Sequence, residues 1–219
     1  MAKPLIPLVR SGYYASRNLT PLVNGNGDGV AEKDGVPLKY KRLIGFEFNA
    51  DCYFVITDFC LKGSDTVRLS FSVDKACNVF GCYTTNDATD NYSLYMSTTS
   101  GSKYLRYDGS TYNSAIASAQ LGDRLDVVIS PTGTDGMPTD STITPQTFDA
   151  SVSMCIGTTS TGASSSKLDG NIWGEFVVDR RLDLIPVERV DDGVLGYYDG
   201  VSGTFYTPSV GTPTSLGYA

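Results

Sequence analysis

Apolar and polar residues alternate along much of the chain from residue 38 onward. Val67, Leu69, Phe71 and Val73, for example, are separated by Arg68 and two serines. A period of two places successive side chains on opposite faces of a strand, so one face is buried and the other is wet. The same pattern returns in four further segments: 92–97, 125–129, 152–156 and 172–178. The alternation therefore predicts half-buried β-strands.

Turn residues separate these segments at short intervals. Asp192-Gly193 and Asp108-Gly109 lie between apolar runs, the strongest short-range signal for a hairpin, and Ser202-Gly203 marks another turn. Roughly a dozen short strands with such spacing are typical of an all-β sandwich. The apolar run 52–57 is expected to form a central strand. Pro186, which has no N–H, is expected on an edge strand or at a bulge.

The first 36 residues lack any sustained period and carry an Asn/Gly-rich run, so we expect an extended N-terminal arm at 1–36 and one sandwich domain at 37–219. An arm without its own core stays ordered only where it lies against something. We expect it to dock on a partner protein or a neighbouring copy; the alternative is that it folds back on its own domain. The predicted docking residues are Leu5, Ile6, Leu8, Val9, Tyr13 and Tyr14.

The strand order and the C-terminal turns resemble a known family. The residues that carry this likeness are Ile185-Pro186-Val187, Asp192-Gly193, Gly196-Tyr197-Tyr198-Asp199 and Phe205-Tyr206, with Val79-Phe80-Gly81 and the segment 170–176 upstream. Together they resemble the concanavalin A-like, or laminin-G-like, jelly-roll domains of bacteriophage tail, fibre and surface proteins and of gut-bacterial surface proteins. The resemblance covers residues 38 to 213 and implies a jelly-roll sandwich of two antiparallel sheets.

The composition excludes several kinds of catalytic and metal-binding site. The sequence has no histidine, which removes Ser-His-Asp and Cys-His machinery and most zinc sites. Glycosidases need two carboxylates about 5–10 Å apart, and the Glu-x-Asp-x-x-Glu strand that supplies them in some jelly-roll relatives is missing. A net charge of −7 disfavours nucleic-acid binding. We therefore expect no enzymatic activity.

Two weaker site patterns remain. Aromatic side chains on the phase opposite the core could stack on sugar rings, and the candidates are Tyr95, Tyr104, Tyr107 and Trp173. The competing interpretation is that these rings cover a sheet or pack into a neighbour. Asn24, Asn26 and Asp28 imitate the start of a calcium loop, but the twelfth position is Gly35 rather than Glu, and turn formation explains the run more simply. We expect no cofactor, with calcium as the alternative.

Location and function follow from these features and from the resemblance. No apolar run has the length of a signal peptide or a membrane span, so we expect cytoplasmic synthesis and free, buried thiols at the five cysteines. The resemblance implies a structural virion protein: a capsid decoration, head fibre or tail component that assembles with other virion proteins or with copies of itself. The alternative is a carbohydrate-binding adhesion module. A heptad repeat that would fix an oligomeric state is not visible.

Overall fold

The computed structural model describes residues 32–33, 35–82, 92–97, 103–108, 111–116, 121–131, 133–136, 152–159 and 167–219. In these ranges the chain forms strands, turns and loops. The first nine strands are β1 (Glu32–Lys33), β2 (Val36–Pro37), β3 (Tyr40–Arg42), β4 (Gly45–Asn49), β5 (Phe54–Ile56), β6 (Val67–Val73), β7 (Cys77–Cys82), β8 (Tyr92–Ser97) and β9 (Lys103–Asp108). The others are β10 (Thr111–Ile116), β11 (Leu125–Ser130), β12 (Gly133–Asp135), β13 (Met154–Ile156), β14 (Asp169–Val178), β15 (Leu182–Arg189), β16 (Leu195–Asp199), β17 (Phe205–Tyr206) and β18 (Thr214–Ser215).

The strands form two main antiparallel sheets. The smaller sheet has the order β10-β9-β8-β7-β13-β5, and the larger runs β12-β11-β6-β14-β15-β16-β17, with β3, β4 and β18 joined to it. The chain crosses between the sheets after β4, β5, β6, β10, β12 and β13, which is the connectivity of a sandwich rather than of a meander. The predicted all-β jelly-roll sandwich of two antiparallel sheets is confirmed.

One continuous apolar core fills the space between the sheets. Phe71 of β6, Phe80 of β7 and Phe176 of β14 are fully buried, and the rings of Phe80 and Phe176 meet edge to face with centroids 5.1 Å apart. The alternation predicted for β6 is present, because Val67, Leu69, Phe71 and Val73 are buried while Arg68 is exposed. The period-two pattern therefore identified the inward faces correctly.

Two predictions about strand position are wrong. The run 52–57 forms only the three-residue strand β5, which lies at the edge of the smaller sheet rather than at its centre. The C-terminal tail covers that edge: Val55 N–H donates to Ser209 Oγ at 2.9 Å, and Tyr53 bridges to Val210. The edge therefore gains partners from a segment whose sequence shows no strand pattern.

Pro186 lies inside β15, a strand with neighbours on both sides, and not on an edge or in a bulge of its own. Its carbonyl accepts from Leu43 N–H at 2.8 Å. In a strand the N–H and C=O of one residue point to the same side, so the missing N–H of Pro186 faces the place where the partner of β15 changes from β14 to β3. No ladder bond to β16 is lost.

Candidate functional site

The structure distributes the predicted site residues over two sheets. Tyr95 on β8 is half-buried, and β9 places Tyr107 opposite Ser93 and Tyr104 opposite Met96. Opposed residues share a face, so the position of Tyr107 is on the face of Tyr95, whereas Tyr104 shares the face of the buried Met96. Trp173 lies on the other sheet. The arm residues Leu5, Ile6, Leu8, Val9, Tyr13 and Tyr14 and the calcium candidates Asn24, Asn26 and Asp28 lie outside the described residues.

Trp173 is a large aromatic residue with small neighbours on both sides. It projects from β14 onto the outer face of the large sheet, the face directed away from the smaller sheet. Its cross-strand partners are Ser70 on β6 and Gly45 on β4. A Cβ at Gly45 would lie 2.2 Å from the Ile172 carbonyl oxygen, so only glycine fits there. Trp173 therefore lies between two residues with small side chains, and it is half-buried.

A guanidinium covers the indole. The Arg124 guanidinium carbon lies 5.0 Å from the centre of the Trp173 ring, a cation–π arrangement. Arg124 Nη2 is also 3.3 Å from Asp126 Oδ1, which accepts a hydrogen bond from the Ser70 hydroxyl. The Arg124 and Asp126 side chains are 53% and 72% exposed, so water screens this pair.

Asn171 extends the same face by one row. It lies two residues before Trp173, and its Nδ2 donates weakly to Ser72 Oγ at 3.5 Å. Its Oδ1 is buried and has no hydrogen-bond partner. A buried acceptor without a partner costs about 1–3 kcal/mol. Ser70, Arg124, Asp126, Asn171 and Trp173 are called the tryptophan patch below.

An irregularity in β14 bounds this patch. The register between β14 and β6 shifts between Trp173 and Val177, and Gly174 adopts a φ of 64°. At this bulge the second partner of β14 changes from β4 to β15. Glu175 leaves the bulge toward Arg42 on β3 and accepts from Arg42 Nη2 at 2.6 Å. Bulges commonly re-aim side chains at functional sites, and here the ion pair marks one border of the tryptophan patch.

A second aromatic group lies beyond that ion pair on the outer face. It consists of Val36, Tyr40, Ile185, Val187, Tyr198 and Phe205, called the aromatic corner below. The Tyr40 ring stacks on Phe205 and tilts against Tyr198, with both centroid distances 5.2 Å. Gly196 leaves room for this packing, since a Cβ there would lie 2.7 Å from the Phe205 ring. Val36, the last residue of the predicted arm, is 2% exposed.

The buried acids of the described residues have structural partners. Asp65 accepts from Arg181 Nη1 at 2.5 and 2.7 Å, while Arg181 Nη2 donates to the Cys60 carbonyl at 2.9 Å. Asp199 accepts from the backbone N–H groups of three residues and from the Ser202 hydroxyl at 2.5 Å. These carboxylates fix loops and turns.

The five cysteines are free, as expected. Cys60 is half-buried and the other four are buried. Burial raises the pKa of the Cys52 and Cys82 thiols to about 12 and that of the Cys77 and Cys155 thiols to about 11. A thiol with so high a pKa carries almost no thiolate at neutral pH, so these four side chains are poor nucleophiles and poor metal ligands.

The described ranges lack two further kinds of feature. Three or more His, Cys, Asp or Glu side chains do not converge on a possible cation position anywhere in these ranges. The same ranges contain no helix with the length and hydropathy that crossing a bilayer demands.

The sequence marked Trp173 as a candidate but gave no indication of the residues around it. Arg124 and Asp126 are the polar members of an alternating strand pattern. Such a pattern predicts only a solvent-exposed face and no particular role. Their position beside Trp173 depends on the pairing of β11 with β6 and of β6 with β14, contacts between segments far apart in the chain. The one available signal was that Trp173 shares the polar phase of its strand.

Comparisons with known proteins give little beyond the fold. No protein-family model matches the chain, and no curated protein matches it. Among solved structures, the chain is similar to the native heptameric SAP-like pentraxin from Limulus polyphemus. The identity is 14% and the TM-score 0.40, over 63% of this chain and 76% of that chain. A likeness of this strength carries no argument about function.

Proposed function

We propose that the chain is a non-enzymatic structural protein of a bacteriophage virion, in which residues 1–36 attach to the particle and the sandwich is displayed outward. The observation that carries the non-enzymatic part is the commitment of the buried acids to structural bonds. Asp65 and Asp199 hold loops, and four thiols are buried with a raised pKa. The virion part is supported by the resemblance of the C-terminal segment to phage jelly-roll domains.

The aromatic corner supports the role of the arm. The described chain begins with the β1–β2 hairpin, and Val36 of that hairpin is packed against Ile185 and Val187. An arm that precedes residue 32 would therefore start from a point fixed on the body.

The test is incorporation into the particles of the phage that encodes the chain. Deletion of residues 1–31 keeps Val36 in place and is the sharper variant; deletion of 1–36 also removes Val36. We expect the 1–31 deletion to fold, by circular dichroism, and to be lost from purified particles. Serine at Leu5, Ile6, Leu8 and Val9 in the full chain should have the same effect. Particles that retain the deleted protein would contradict the role of the arm.

A carbohydrate-binding module is the second candidate, and the tryptophan patch favours it. A half-buried indole bordered by a guanidinium, a carboxylate and an amide is the combination that sugar sites use: an apolar face for the ring and polar groups for hydroxyls. A glycan array probed with the chain lacking residues 1–31 tests this candidate separately from attachment. Binding that Trp173→Phe abolishes would support it, and a blank array would exclude it for the glycans displayed.

A further inference from the structure

The cover on Trp173 is weakly held. Arg124 reaches the indole from an exposed position, and its ion pair with Asp126 is also exposed. Exposed ion pairs contribute about 0–1 kcal/mol, and exposed cation–π contacts about 0.5–1 kcal/mol. A ligand that offered Arg124 a better anion could therefore move the guanidinium aside and take its place on the ring.

The space beside the indole suits a ring-shaped ligand. Gly45 has no side chain and cannot acquire one, and Ser70 on the opposite side is short. Neither residue has a side chain long enough to cover the indole. An aromatic platform with low neighbours fits the flat apolar face of a pyranose.

The polar groups around the platform specify the substituents. Arg124 lies over the indole, and its Nη2 is 3.3 Å from Asp126 Oδ1. Its guanidinium favours a carboxylate ligand, which arginine can bind in a bidentate manner. The Arg124 guanidinium is thus a local positive group on a chain of net charge −7.

We propose that the tryptophan patch is a binding site for an acidic saccharide. The pyranose ring stacks on Trp173, and its carboxylate pairs with Arg124. This inference rests on the second candidate function, carbohydrate binding, and adds the position of the site and the charge of the ligand. It is independent of how the arm attaches to a particle.

The chain provides its own reporter, because Trp173 is its one tryptophan. Intrinsic fluorescence of the full chain is titrated with N-acetylneuraminic acid and glucuronic acid, and in parallel with N-acetylglucosamine and glucose as neutral counterparts. We expect a saturable change in Trp173 emission with at least one acid and a markedly weaker response to its neutral counterpart. Equal responses to both members of each pair, or no response to any, would overturn the proposal.

Substitutions test whether binding of the acid depends on the positive charge of Arg124. Arg124→Ala should weaken binding of the acid about tenfold, the effect of losing one charge-assisted hydrogen bond of about 1.4 kcal/mol or more. Arg180→Ala is the matched control, since Arg180 is an exposed arginine at the turn after β14, and it should leave the affinity unchanged. Saturation-transfer NMR follows Trp173→Phe, which removes the fluorescent reporter but keeps an aromatic ring.

The outcomes separate the site from the broader function. If the array shows glycan binding that survives both Arg124→Ala and Trp173→Phe, carbohydrate binding stands and the tryptophan patch is the wrong site. If the array and the titrations are both blank, both ideas fail. Binding of acids that depends on Arg124 but not on Trp173 would overturn the stacking geometry.

Discussion

Two arginines on the outer face of the large sheet lie over aromatic rings, and they differ in how firmly each is held. In the aromatic corner, the Arg189 guanidinium lies 5.3 Å from the centre of Phe205. It donates through Nε to Asp192 Oδ1 at 2.9 Å, bonds Asp192 Oδ2 through Nη2, and lies 3.3 Å from Asp191. In the tryptophan patch, Arg124 is the more exposed arginine and Asp126 is its carboxylate partner.

The rings below differ in the same way. Phe205 stacks on Tyr40, and the residues beneath them include Ile185 and Val187 at 1% and 0% exposure. Trp173 stands between Ser70 and Gly45 without another ring against it in the described contacts. The comparison teaches that an aromatic residue on an outer face is structural when other rings and a fixed cation cover it. We propose that such a ring is available to a ligand when its cover is a loosely held side chain.

The largest expected effect is at Tyr40. Tyr40→Ala removes a ring that contacts both Tyr198 and Phe205, and we expect a loss of about 3 kcal/mol in the free energy of unfolding. Urea denaturation followed by circular dichroism measures it. A loss below about 1 kcal/mol would mean that the aromatic corner is not a packed unit and would remove the contrast with Trp173.

Gly196→Ala tests the corner by overpacking rather than by deletion. The new methyl would meet the Tyr206 carbonyl at 2.4 Å and the Phe205 ring at 2.7 Å. We expect a cost of about 2 kcal/mol, because the backbone contact cannot be relieved by a rotamer change. Gly193→Ala is not a suitable control, since Gly193 has a φ of 70°; Gly200→Ala, with its nearest contact at 3.4 Å, is the better one.

Trp173→Phe tests the contrast between the aromatic corner and the tryptophan patch at the patch itself. The indole is half-buried and has small neighbours, so we expect a loss of about 1 kcal/mol or less in unfolding free energy. Circular dichroism during denaturation replaces fluorescence as the probe. A loss as large as that of Tyr40→Ala would show that Trp173 is a structural ring and would weaken the case for a binding platform.

Arg124→Ala should change stability by no more than about 0.5 kcal/mol, because an exposed ion pair contributes little. The same variant should shift the emission of Trp173, since the guanidinium no longer lies over the ring. Denaturation and emission spectra on one sample test both parts. An unchanged emission maximum would contradict the stacked arrangement.

The smallest effect concerns pH at the aromatic corner. Hydrogen bonding to Arg189 lowers the pKa of Asp192 to about 2 from its usual 3.8. A carboxyl whose folded pKa is depressed stabilises the fold above its unfolded pKa, and that stabilisation is lost as the pH falls from about 3.8 toward 2. Asp192→Asn should therefore flatten the fall in stability over this window. A fall identical to that of the wild type would show that the Arg189–Asp192 pair is not formed in solution.

The sequence predicted the inward faces well because a period of two is a local signal. Val67 to Val73 and Tyr92 to Met96 are buried where alternation placed them. The Asp192-Gly193 hairpin is confirmed by the pairing of β15 with β16 and by the positive φ of Gly193. Each of these features depends on neighbours a few residues away, which the sequence displays directly.

The errors and the omissions have one cause, which is pairing between distant segments. β5 is the last strand of the smaller sheet, and its outer partner is the tail around Ser209, which lies 154 residues away in the chain. Pro186 is tolerated within β15 because this strand pairs with β14 before Pro186 and with β3 after it. The tryptophan patch likewise combines β11, β6 and β14, so alternation could predict its exposed phase but not its members.

The most direct test of the division of the outer face is acrylamide quenching of the single tryptophan. The account predicts that Trp173 in the wild type is quenched to an intermediate extent, that Arg124→Ala raises the quenching constant, and that a saturating acidic saccharide lowers it. A quenching constant that neither the substitution nor the saccharide changes would contradict the claim that Arg124 is a displaceable cover over a binding platform.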